Sequence, residues 1–516
     1  MNEEYDVCLI AEGTYPYISG GVSSVIAQTI QNLPELKFAI FFIGSTANLA
    51  EKPLYPIPDN VKRIEPVFLF DGLPDAQKRQ HTKPSKMRDA FYESLQRFLI
   101  NENPERIDHA FTEVIDRFFA AESEMSFMNW CKDSKAWQVI VETCRTHLPE
   151  TSFIDYFYTT RFLALPLWNL LNGIKRMPQA KVYHSLCTGY AGLTAVVATR
   201  LKGGQSIISE HGIYVKERIS EISLAKWIHE AQSAYVTVDS DLGDLKRLWI
   251  HKFRYISEYS YRRCDGLTTL YQGNRQMQEE FGAPAGKSEI IPNGIDFAAF
   301  APAYARRRQR LAQSQPNTIG FIGRIVRIKD VKTLLRAMAS VHRVLPQAVL
   351  RLLGPTNEEP DYFEECQAMA QQLGIEQVVE FVGKKNLREA LSEIDLMVLT
   401  SISEGQPLVM LEGFAAGIPC VATDVGSCRA LIFGDSPEDR ALGSAGNLTK
   451  VSSPRQTANA LINLLQSPET LQACGEAGRA RAQRYYQQDA IMQRYRELYA
   501  RHMPPPVPLT ALKGAL

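Results

Sequence analysis

Two long stretches of the chain alternate between short apolar runs and segments of helical periodicity. Apolar runs of strand length that are bounded by Gly, Pro or Asp are typical of buried parallel strands, and the amphipathic segments between them are typical of crossover helices. This alternation predicts two doubly wound parallel α/β halves. The predicted strands are 6–12, 38–44, 181–185, 206–210, 266–270 and 289–291 in the first half, and 318–322, 348–353, 378–382, 395–400 and 419–423, with a short one in 443–451, in the second.

The pattern of apolar and polar residues changes between residues 72 and 176. Long helical patterns with many aromatic residues occur there, such as FYESLQRFLI and HAFTEVIDRFFAAE. We predict a helical insertion in the first half. Its aromatic residues form either the core of this subdomain or a docking face for a partner, and we favour the core because aromatic side chains bury well wherever helices pack.

Composition disfavours some classes of protein but does not indicate a function. The 516 residues are 45% hydrophobic and 22% charged, and 57 Lys and Arg balance 57 Asp and Glu, so no global basic field indicates a nucleic-acid partner. Nine scattered cysteines without a C-x-x-C motif predict free thiols in a reducing compartment. The start, MNEEYDVCLIAEG, enters a strand at once rather than forming a signal peptide, and no window reaches 18 apolar residues. We therefore expect a cytoplasmic protein, or one that partners hold at a membrane.

Residues 398–423 read as strand, tight turn, helix, turn and strand. Pro407 falls in the predicted first turn of a helix that runs on from Leu408. The first N–H groups of such a helix lack partners and lie at the positive end of its dipole, which attracts phosphate. Glu404 and Glu412 flank this anion site and would repel an anion unless they faced hydroxyl groups. The pattern therefore predicts a phosphate ester of a sugar as the ligand.

Two cations follow the strand at 318–322. Arg324 comes directly after Gly323, and Lys329 lies five residues further on, at the predicted start of the next helix. Open α/β sheets bind ligands at the carboxyl ends of their strands. The arginine fork and the lysine point charge suit the two phosphates of a nucleotide diphosphate, and fixed cations stabilise the negative charge that develops as this group leaves.

The first half offers further candidates at the ends of its strands. The tandem glycines Gly20 and Gly21 separate the first strand from the first helix, where they serve either as a sharply turning ligand cradle or only for packing. His184 and His211 each end a strand, as a satisfied core residue or as a group that lines the ligand site.

These motifs together resemble the signature of family 4 retaining glycosyltransferases, enzymes of GT-B fold. Glu404 and Glu412 form an E-x7-E pair that is followed by A-x-G-x-P, and Arg324 and Lys329 form the preceding G-R-x4-K. The resemblance implies that Glu404 contacts the sugar of a UDP-sugar donor and that Glu412 contacts its ribose hydroxyls. It also implies that His211 contacts the sugar near the anomeric carbon.

The resemblance extends to other segments. YPYISGGV, with Gly20 and Gly21, matches a segment beneath the donor phosphates, and Gly383 and Lys384 match the place where backbone groups hold the base. Asp296 belongs to PNGID, which resembles a structural turn between the domains. The implied donor site further includes Gly323, Gly405, Gln406, Leu408 and Val409.

The resemblance also implies the domain organisation. We expect a Rossmann-like acceptor-side domain at 1–297 that a C-terminal helix at about 484–503 completes, a nucleotide-sugar-binding domain at 298–483 facing it across a cleft, and a flexible tail at 504–516. The basic run RRRQR at 306–310 is either an exposed helix at the boundary or a patch that binds polyanions.

More specifically, EGTYPYISGGVSSVI and SEHGIYVKER, together with the insertion, resemble the glycosyltransferases of Pel exopolysaccharide synthesis. That resemblance implies transfer with retention onto a polymer rich in N-acetylhexosamine, beside inner-membrane Pel synthase components at the cytoplasmic face. No residue is an obvious covalent nucleophile, so we expect front-side displacement, in which the leaving phosphate helps to deprotonate the acceptor.

Other interpretations remain open. Asp239 and Asp241 form a D-x-D motif of the kind that holds Mn²⁺ in another glycosyltransferase fold, but we interpret it as a cap or turn and expect no metal cofactor, since Arg324, Lys329 and a helix terminus supply positive charge. A nucleotide-sugar-binding scaffold subunit of a membrane polysaccharide synthase and a GT-B nucleotide-sugar epimerase are the alternative functions.

Overall fold

The computed structural model describes residues 4–50, 52–71, 86–100, 104–120, 127–225, 227–228 and 243–503. The chain divides into two compact units, each built on one sheet. The first unit comprises Met1–Thr268, Met277–Glu289 and Leu498–Leu516, and the second comprises Thr269–Gln276 and Ile290–Glu497. The predicted tail at 504–516, the D-x-D motif and residues 72–85, 101–103 and 121–126 of the predicted insertion lie outside the described residues.

The first unit contains a seven-stranded sheet of order β3-β2-β1-β4-β5-β6-β7, in which β1 pairs in parallel with both β2 and β4. The strand order reverses between β1 and β4, which makes this the switch point of the sheet. The strands are β1 (Tyr5–Glu12), β2 (Phe38–Gly44), β3 (Val61–Phe68), β4 (Ala180–Ser185), β5 (Gln205–Glu210), β6 (Gly266–Thr269) and β7 (Ser288–Ile290).

Strand β3 was absent from the sequence-based prediction. Its sequence, VKRIEPVF, carries three charged residues and Pro66, and none of its first six residues is fully buried. Such a sequence is tolerated because β3 lies at the edge of the sheet, where Pro and charged side chains discourage further pairing. The apolar-run criterion therefore misses it.

Helices surround the sheet of the first unit and continue into the insertion. In chain order they are α1 (Gly21–Asn32), α2 (Lys86–Ile100), α3 (Pro104–Ala120), α4 (Phe127–Lys132), α5 (Ser134–His147), α6 (Phe153–Arg176), α7 (Gly189–Lys202), α8 (Tyr214–Leu224), α9 (Asp244–Arg263) and α10 (Gln272–Glu280). Helices α2 to α6 form the predicted helical insertion as far as it is described.

Most aromatic residues of the insertion form its core, as the sequence predicts. Phe91, Phe118 and Trp168 are buried, and the Trp168 ring meets the other two edge to face at centroid distances of 5.9 and 5.3 Å. One stripe of α6 is different. Ile154, Tyr158 and Phe162, spaced four residues apart, are each more than half exposed.

The second unit contains a six-stranded sheet of order β10-β9-β8-β11-β12-β13, with parallel pairing throughout. Its switch point lies between β8 and β11. The strands are β8 (Thr318–Ile322), β9 (Val349–Leu353), β10 (Val379–Gly383), β11 (Leu396–Leu399), β12 (Cys420–Thr423) and β13 (Gly446–Thr449). The predicted α/β class with two parallel sheets is therefore confirmed.

Ten helices accompany the second sheet in the described part of the chain, with two buried clusters of side chains against its strands. They are α11 (Ala301–Leu311), α12 (Val331–Val344), α13 (Pro360–Gln372), α14 (Leu387–Ala390), α15 (Leu408–Ala415), α16 (Cys428–Phe433), α17 (Pro437–Arg440), α18 (Pro454–Leu465), α19 (Pro468–Tyr485) and α20 (Gln488–His502).

The basic run on α11 is only partly exposed. Arg307 is buried, and its guanidinium donates to the carbonyls of Ile394, Asp395 and Gly417. Arg310 donates to the buried carboxylate of Asp395 at 2.5 Å. Two of the four arginines thus hold α11 to the sheet, because buried carbonyls and a buried carboxylate need donors.

Two further predictions concern thiols and membranes. All nine cysteines are free, and all except Cys131 and Cys187 are buried, as predicted. Among the helices in the described ranges, none combines the length and the apolar character that a membrane span needs.

Candidate functional site

The carboxyl edge of the second sheet brings together two of the predicted residues. Lys329 lies in the loop after β8, and Glu404 lies in the loop after β11, the neighbouring strand. The Lys329 Nζ atom donates to Glu404 Oε1 at 2.5 Å. The side chains are only 18% and 11% exposed. A pair so shielded from water is held more firmly than a surface ion pair, so it fixes both groups at the switch point.

Hydroxyl groups at the ends of the strands hold this pair in place. Thr400 Oγ1 donates to the backbone carbonyl of Lys329 at 3.0 Å, and Ser401 Oγ donates to Glu404 Oε1 at 2.6 Å. Thr423 Oγ1, at the end of β12, donates to the carbonyl of Ser401 at 2.6 Å. Sequence reasoning missed these three residues. The signal was present, because each is a hydroxyl residue at or directly after the end of a strand.

Arg324 lies at the same edge of the sheet but is more exposed. It follows β8, and its Nη1 atom donates to Glu358 Oε2 at 2.6 Å. The side chain of Arg324 is 49% exposed. The structure therefore places both predicted cations in one loop, with Lys329 bound to Glu404 and Arg324 bound to a glutamate that the sequence analysis did not consider.

Helix α15 begins beside Glu404 without a side-chain cap. Its cap residue is Pro407, one position earlier than predicted, and the cap makes no side-chain hydrogen bond to the first turn in the part of the chain that the structure describes. The N–H groups of Leu408 and Val409 precede any intrahelical partner. An uncapped helix start next to a lysine has the charge distribution of an anion site.

The loop before α15 is held by the PNGID turn. The Gln406 side-chain oxygen accepts from the backbone N–H of Asn293 at 2.6 Å, and the Asn293 side chain donates to the Gln406 carbonyl at 3.3 Å. Asp296 accepts from the backbone N–H of Ala299 at 3.2 Å, in keeping with a structural turn. The side chain of Gln406 thus serves the loop, and only its backbone remains a candidate for ligand binding.

Gly426 fixes the distance between two loops. Its φ of +57° lies in the left-handed region, and a Cβ atom there would stand 2.3 Å from the carbonyl oxygen of Glu404 and 2.4 Å from that of Gly405. The next residue, Ser427, donates its backbone N–H to the Gly405 carbonyl at 2.9 Å. Only glycine allows this approach.

Glu412 lies on α15, about two turns from Glu404. Burial raises the pKa of its carboxyl to about 7, and the positive charge of Arg388 opposes this shift. The carboxyl is partly open to solvent, and no hydrogen bond to it occurs within the described chain. A carboxyl in this state is free to accept from hydroxyl groups of a ligand.

Gly383 ends β10 and Lys384 follows it, two strands away from β8. Gly383 has a φ of +72°, with open space where a Cβ would stand, and its carbonyl accepts from the Gly354 N–H at 3.0 Å. Lys384 is exposed. Their predicted contact with the base stays a prediction.

The first unit holds the two predicted histidines at strand ends, and both are buried. Burial lowers the pKa of His211 to about 4, so its imidazole is neutral near pH 7. His184 Nδ1 bonds Tyr499 Oη at 2.7 Å, and His184 Nε2 bonds Ser209 Oγ at 2.8 Å. Both ring nitrogens of His184 are thereby engaged inside the protein, so its prediction as a ligand contact requires one of these bonds to break.

The tandem glycines do not form the sharp turn that the sequence analysis expected. Gly20 has an extended φ of 168°, which any residue adopts, and Gly21 begins α1. A Cβ atom would meet nothing within 4 Å at either position. Neither backbone strain nor packing therefore requires glycine here. Open space beside α1 is what the prediction of a ligand cradle needs, and that role stays a prediction.

The predicted absence of a metal site is not tested. Within the described ranges, no group of three or more His, Cys, Asp or Glu side chains has the arrangement of a metal site. The D-x-D motif lies outside those ranges.

The Gly426→Ala substitution tests whether close approach holds the Glu404 loop. We expect it to lower the free energy of unfolding by about 2–4 kcal/mol, from a strained φ and a clash with two carbonyl groups. Gly374→Ala is the matched control, because Gly374 has a φ of +66° and open space at its Cβ. Denaturant unfolding of both variants measures the difference. Equal destabilisation would show that the clash with the Glu404 loop contributes nothing.

The pKa of Glu412 predicts a pH dependence of stability. The folded protein holds this proton up to about pH 7, whereas an unfolded glutamate loses it near 4.5. The unfolded state therefore binds fewer protons between these values, and the free energy of unfolding falls as pH rises through this window. The fall in the free energy of unfolding amounts to about 3 kcal/mol at most. Glu412→Gln should remove it. Urea unfolding at several pH values, with the exposed Glu364→Gln as control, measures it; parallel curves for all three proteins would contradict the prediction.

Two known families match the chain. The family described as "Domain of unknown function (DUF3492)" matches residues 5–286, more than half of the chain. The family described as "Glycosyl transferases group 1" matches residues 305–481, which include Arg324, Lys329, Glu404 and Glu412.

The curated relatives are glycosyl-transferring enzymes. The D-inositol 3-phosphate glycosyltransferase of Kineococcus radiotolerans is 30% identical over 40% of this chain and 51% of its own length. The enzyme of the same name from Corynebacterium jeikeium is 26% identical over 53% of this chain and 67% of its own length. The N-acetyl-alpha-D-glucosaminyl L-malate synthase of Bacillus anthracis is 26% identical over 55% of this chain and 69% of its own length. The chain thus spans about half to two thirds of the length of these relatives.

Solved structures share the fold. Sucrose-phosphate synthase from Thermosynechococcus elongatus aligns with a TM-score of 0.60 at 16% identity, over 96% of this chain and 99% of the other. HepE of Anabaena, solved in complex with UDP, aligns with a TM-score of 0.58 at 13% identity, over 96% of this chain and 100% of the other. The chain therefore belongs to the DUF3492 family, has the GT-B fold, and matches the group 1 glycosyltransferase family over residues 305–481.

Proposed function

We propose that the chain is a retaining, metal-independent glycosyltransferase that moves a sugar from a UDP-sugar onto a growing exopolysaccharide. One observation carries the proposal. The Lys329–Glu404 pair stands at the switch point of the second sheet, beside the uncapped start of α15. A fixed cation, a helix terminus and a carboxylate in one place suit a diphosphate joined to a sugar. The relatives that transfer glycosyl groups support the same reading.

In the proposed reaction the leaving diphosphate acquires negative charge. In this scheme Lys329, Arg324 and the backbone N–H groups of Gln406, Leu408 and Val409 stabilise that charge, which lowers the barrier because these groups are fixed before the reaction begins. The bond from the anomeric carbon to the phosphate oxygen breaks. A bond to the acceptor oxygen forms on the same face, and the acceptor proton passes to the leaving phosphate.

Carboxylates and a neutral imidazole position the donor in this scheme. Glu404 is restrained by Lys329 and Ser401, so its second oxygen can accept from a sugar hydroxyl. Glu412 accepts from the ribose hydroxyls. The resemblance assigns His211 to the sugar, and its lowered pKa makes it an uncharged hydrogen-bonding group at neutral pH.

The resemblance to Pel enzymes supports the finer part of the proposal. The acceptor is then a Pel-type polymer rich in N-acetylhexosamine. The protein acts at the cytoplasmic face of the inner membrane, beside the membrane components of the Pel synthase. A donor panel of UDP-N-acetylgalactosamine, UDP-N-acetylglucosamine and UDP-glucose, monitored for UDP release with and without acceptor, tests the substrate class.

Removal of either cation should abolish transfer. We expect Arg324→Ala and Lys329→Ala each to lower kcat/KM for UDP release by about a hundredfold or more, because each removes a fixed positive charge from the leaving group. Arg336→Ala, which removes an exposed arginine from α12, is the matched control and should leave the rate unchanged. Circular dichroism establishes that the variants stay folded.

The same assay separates the alternative functions. Turnover retained in both variants would remove the phosphate role from these cations. Binding of UDP-sugar by the wild type with neither UDP release nor polymer would favour the scaffold. Conversion of one UDP-sugar into another without release of UDP would favour the epimerase.

Chelation tests the metal-independent part of the proposal. We expect full activity after exhaustive treatment with EDTA, since Arg324, Lys329 and the start of α15 supply the positive charge that a divalent cation would provide. The measurement is the rate of UDP release before and after treatment, with added Mg²⁺ or Mn²⁺ as a further arm. A strict requirement for Mn²⁺ would restore the D-x-D motif as a metal site.

A further inference from the structure

The loop after β9 places two glutamates against the loop after β8. Glu358 Oε2 accepts from Arg324 Nη1 at 2.6 Å, and Glu359 Oε2 accepts from the backbone N–H of Arg327 at 3.2 Å. Glu358 has no part in the function described so far. It nevertheless holds the guanidinium that the proposed reaction needs for the diphosphate.

The two cations differ in how firmly their glutamates hold them. Lys329 and Glu404 are 18% and 11% exposed, and Ser401 also bonds Glu404. Arg324 and Glu358 are 49% and 41% exposed, and one guanidinium nitrogen makes the bond. Exposed ion pairs are weak because water and salt screen them. The first pair is therefore a fixed part of the site, and the second is one that a ligand can exchange.

We propose that Glu358 is a positioning residue that competes with the diphosphate of the nucleotide for Arg324. This inference rests on the proposed function. A diphosphate carries more charge than a carboxylate and offers several oxygens to the arginine fork, so it displaces a carboxylate that is held by one bond. Glu358 takes the guanidinium back as UDP leaves. The exchange weakens the binding of UDP and favours its release after each transfer.

The proposal predicts the direction in which UDP affinity changes when Glu358 is removed, and a merely supporting role predicts the opposite direction. If Glu358 only held Arg324 ready for the ligand, its removal would weaken UDP binding. If Glu358 competes, its removal tightens UDP binding. Because the competing pair is exposed, the difference between variant and wild type should also shrink as ionic strength rises.

The test is Glu358→Gln in the full chain, with UDP as the probe. Isothermal titration calorimetry should give a UDP Kd about two- to fivefold lower than that of the wild type, the range that an exposed ion pair supports. The KM for the donor should fall in the same direction, while kcat stays equal or falls as product release slows. Unchanged or weaker UDP binding by a folded Glu358→Gln protein would overturn the proposal.

Two controls separate this inference from the proposed function. Glu365→Gln removes a neighbouring carboxylate that pairs with Arg327 and Lys332, and it should leave the UDP Kd unchanged. In an Arg324→Ala background, Glu358→Gln should have no further effect on UDP binding. If Arg324→Ala itself leaves UDP binding and turnover intact, the proposed function fails. If Arg324→Ala weakens UDP binding and Glu358→Gln does not tighten it, only the competition fails.

Discussion

The candidate site depends on the ion pair between Lys329 and Glu404. Each residue lies in a loop, and loops by themselves hold side chains poorly. The pair is rigid because Thr400 and Ser401, which directly follow a buried strand, bond both loops. Thr423 ties Ser401 to the next strand. The sheet, which is the most rigid element nearby, thus fixes the positions of the Lys329 cation and the Glu404 carboxylate.

Gly426 and Arg307 hold further loops and a helix in place in the second unit. Gly426 lets the loop after β12 touch the backbone at Glu404 and Gly405, and Arg307 holds α11 to the carbonyls near the start of β11. These contacts lie around the site rather than in it. Particular residues are therefore needed at positions outside the candidate site as well as within it.

Much of this architecture could be predicted from the chain. All eleven longer apolar runs became strands within about two residues of the predicted bounds, because continuous apolar runs of strand length have few other uses in an α/β protein. β3 escaped because edge strands do not need apolar runs. The sharp turn predicted at the tandem glycines is absent for a different reason, since Gly20 adopts a backbone conformation open to all residues. Sequence identifies the residue type but not the dihedral angles.

The candidate site, too, could be predicted only in part from the sequence. Lys329 and Glu404 were predicted from spacing, since both follow strands that become neighbours. Glu358, Ser401 and Thr423 were not, because their roles arise from contacts between loops that are far apart in sequence. The environment of Glu412 was also hidden, since the desolvation that raises its pKa depends on packing around α15.

The burial of α15 has a consequence for how the site responds to its medium. Met410, Leu411, Gly413, Phe414 and Ala415 are all buried, so little water surrounds this short helix. Mobile ions are therefore kept away from most of the helix, and the field at its partly exposed start is screened less than the field of a solvated arginine. The helix therefore supplies attraction for an anion that persists at salt concentrations at which an exposed ion pair is screened.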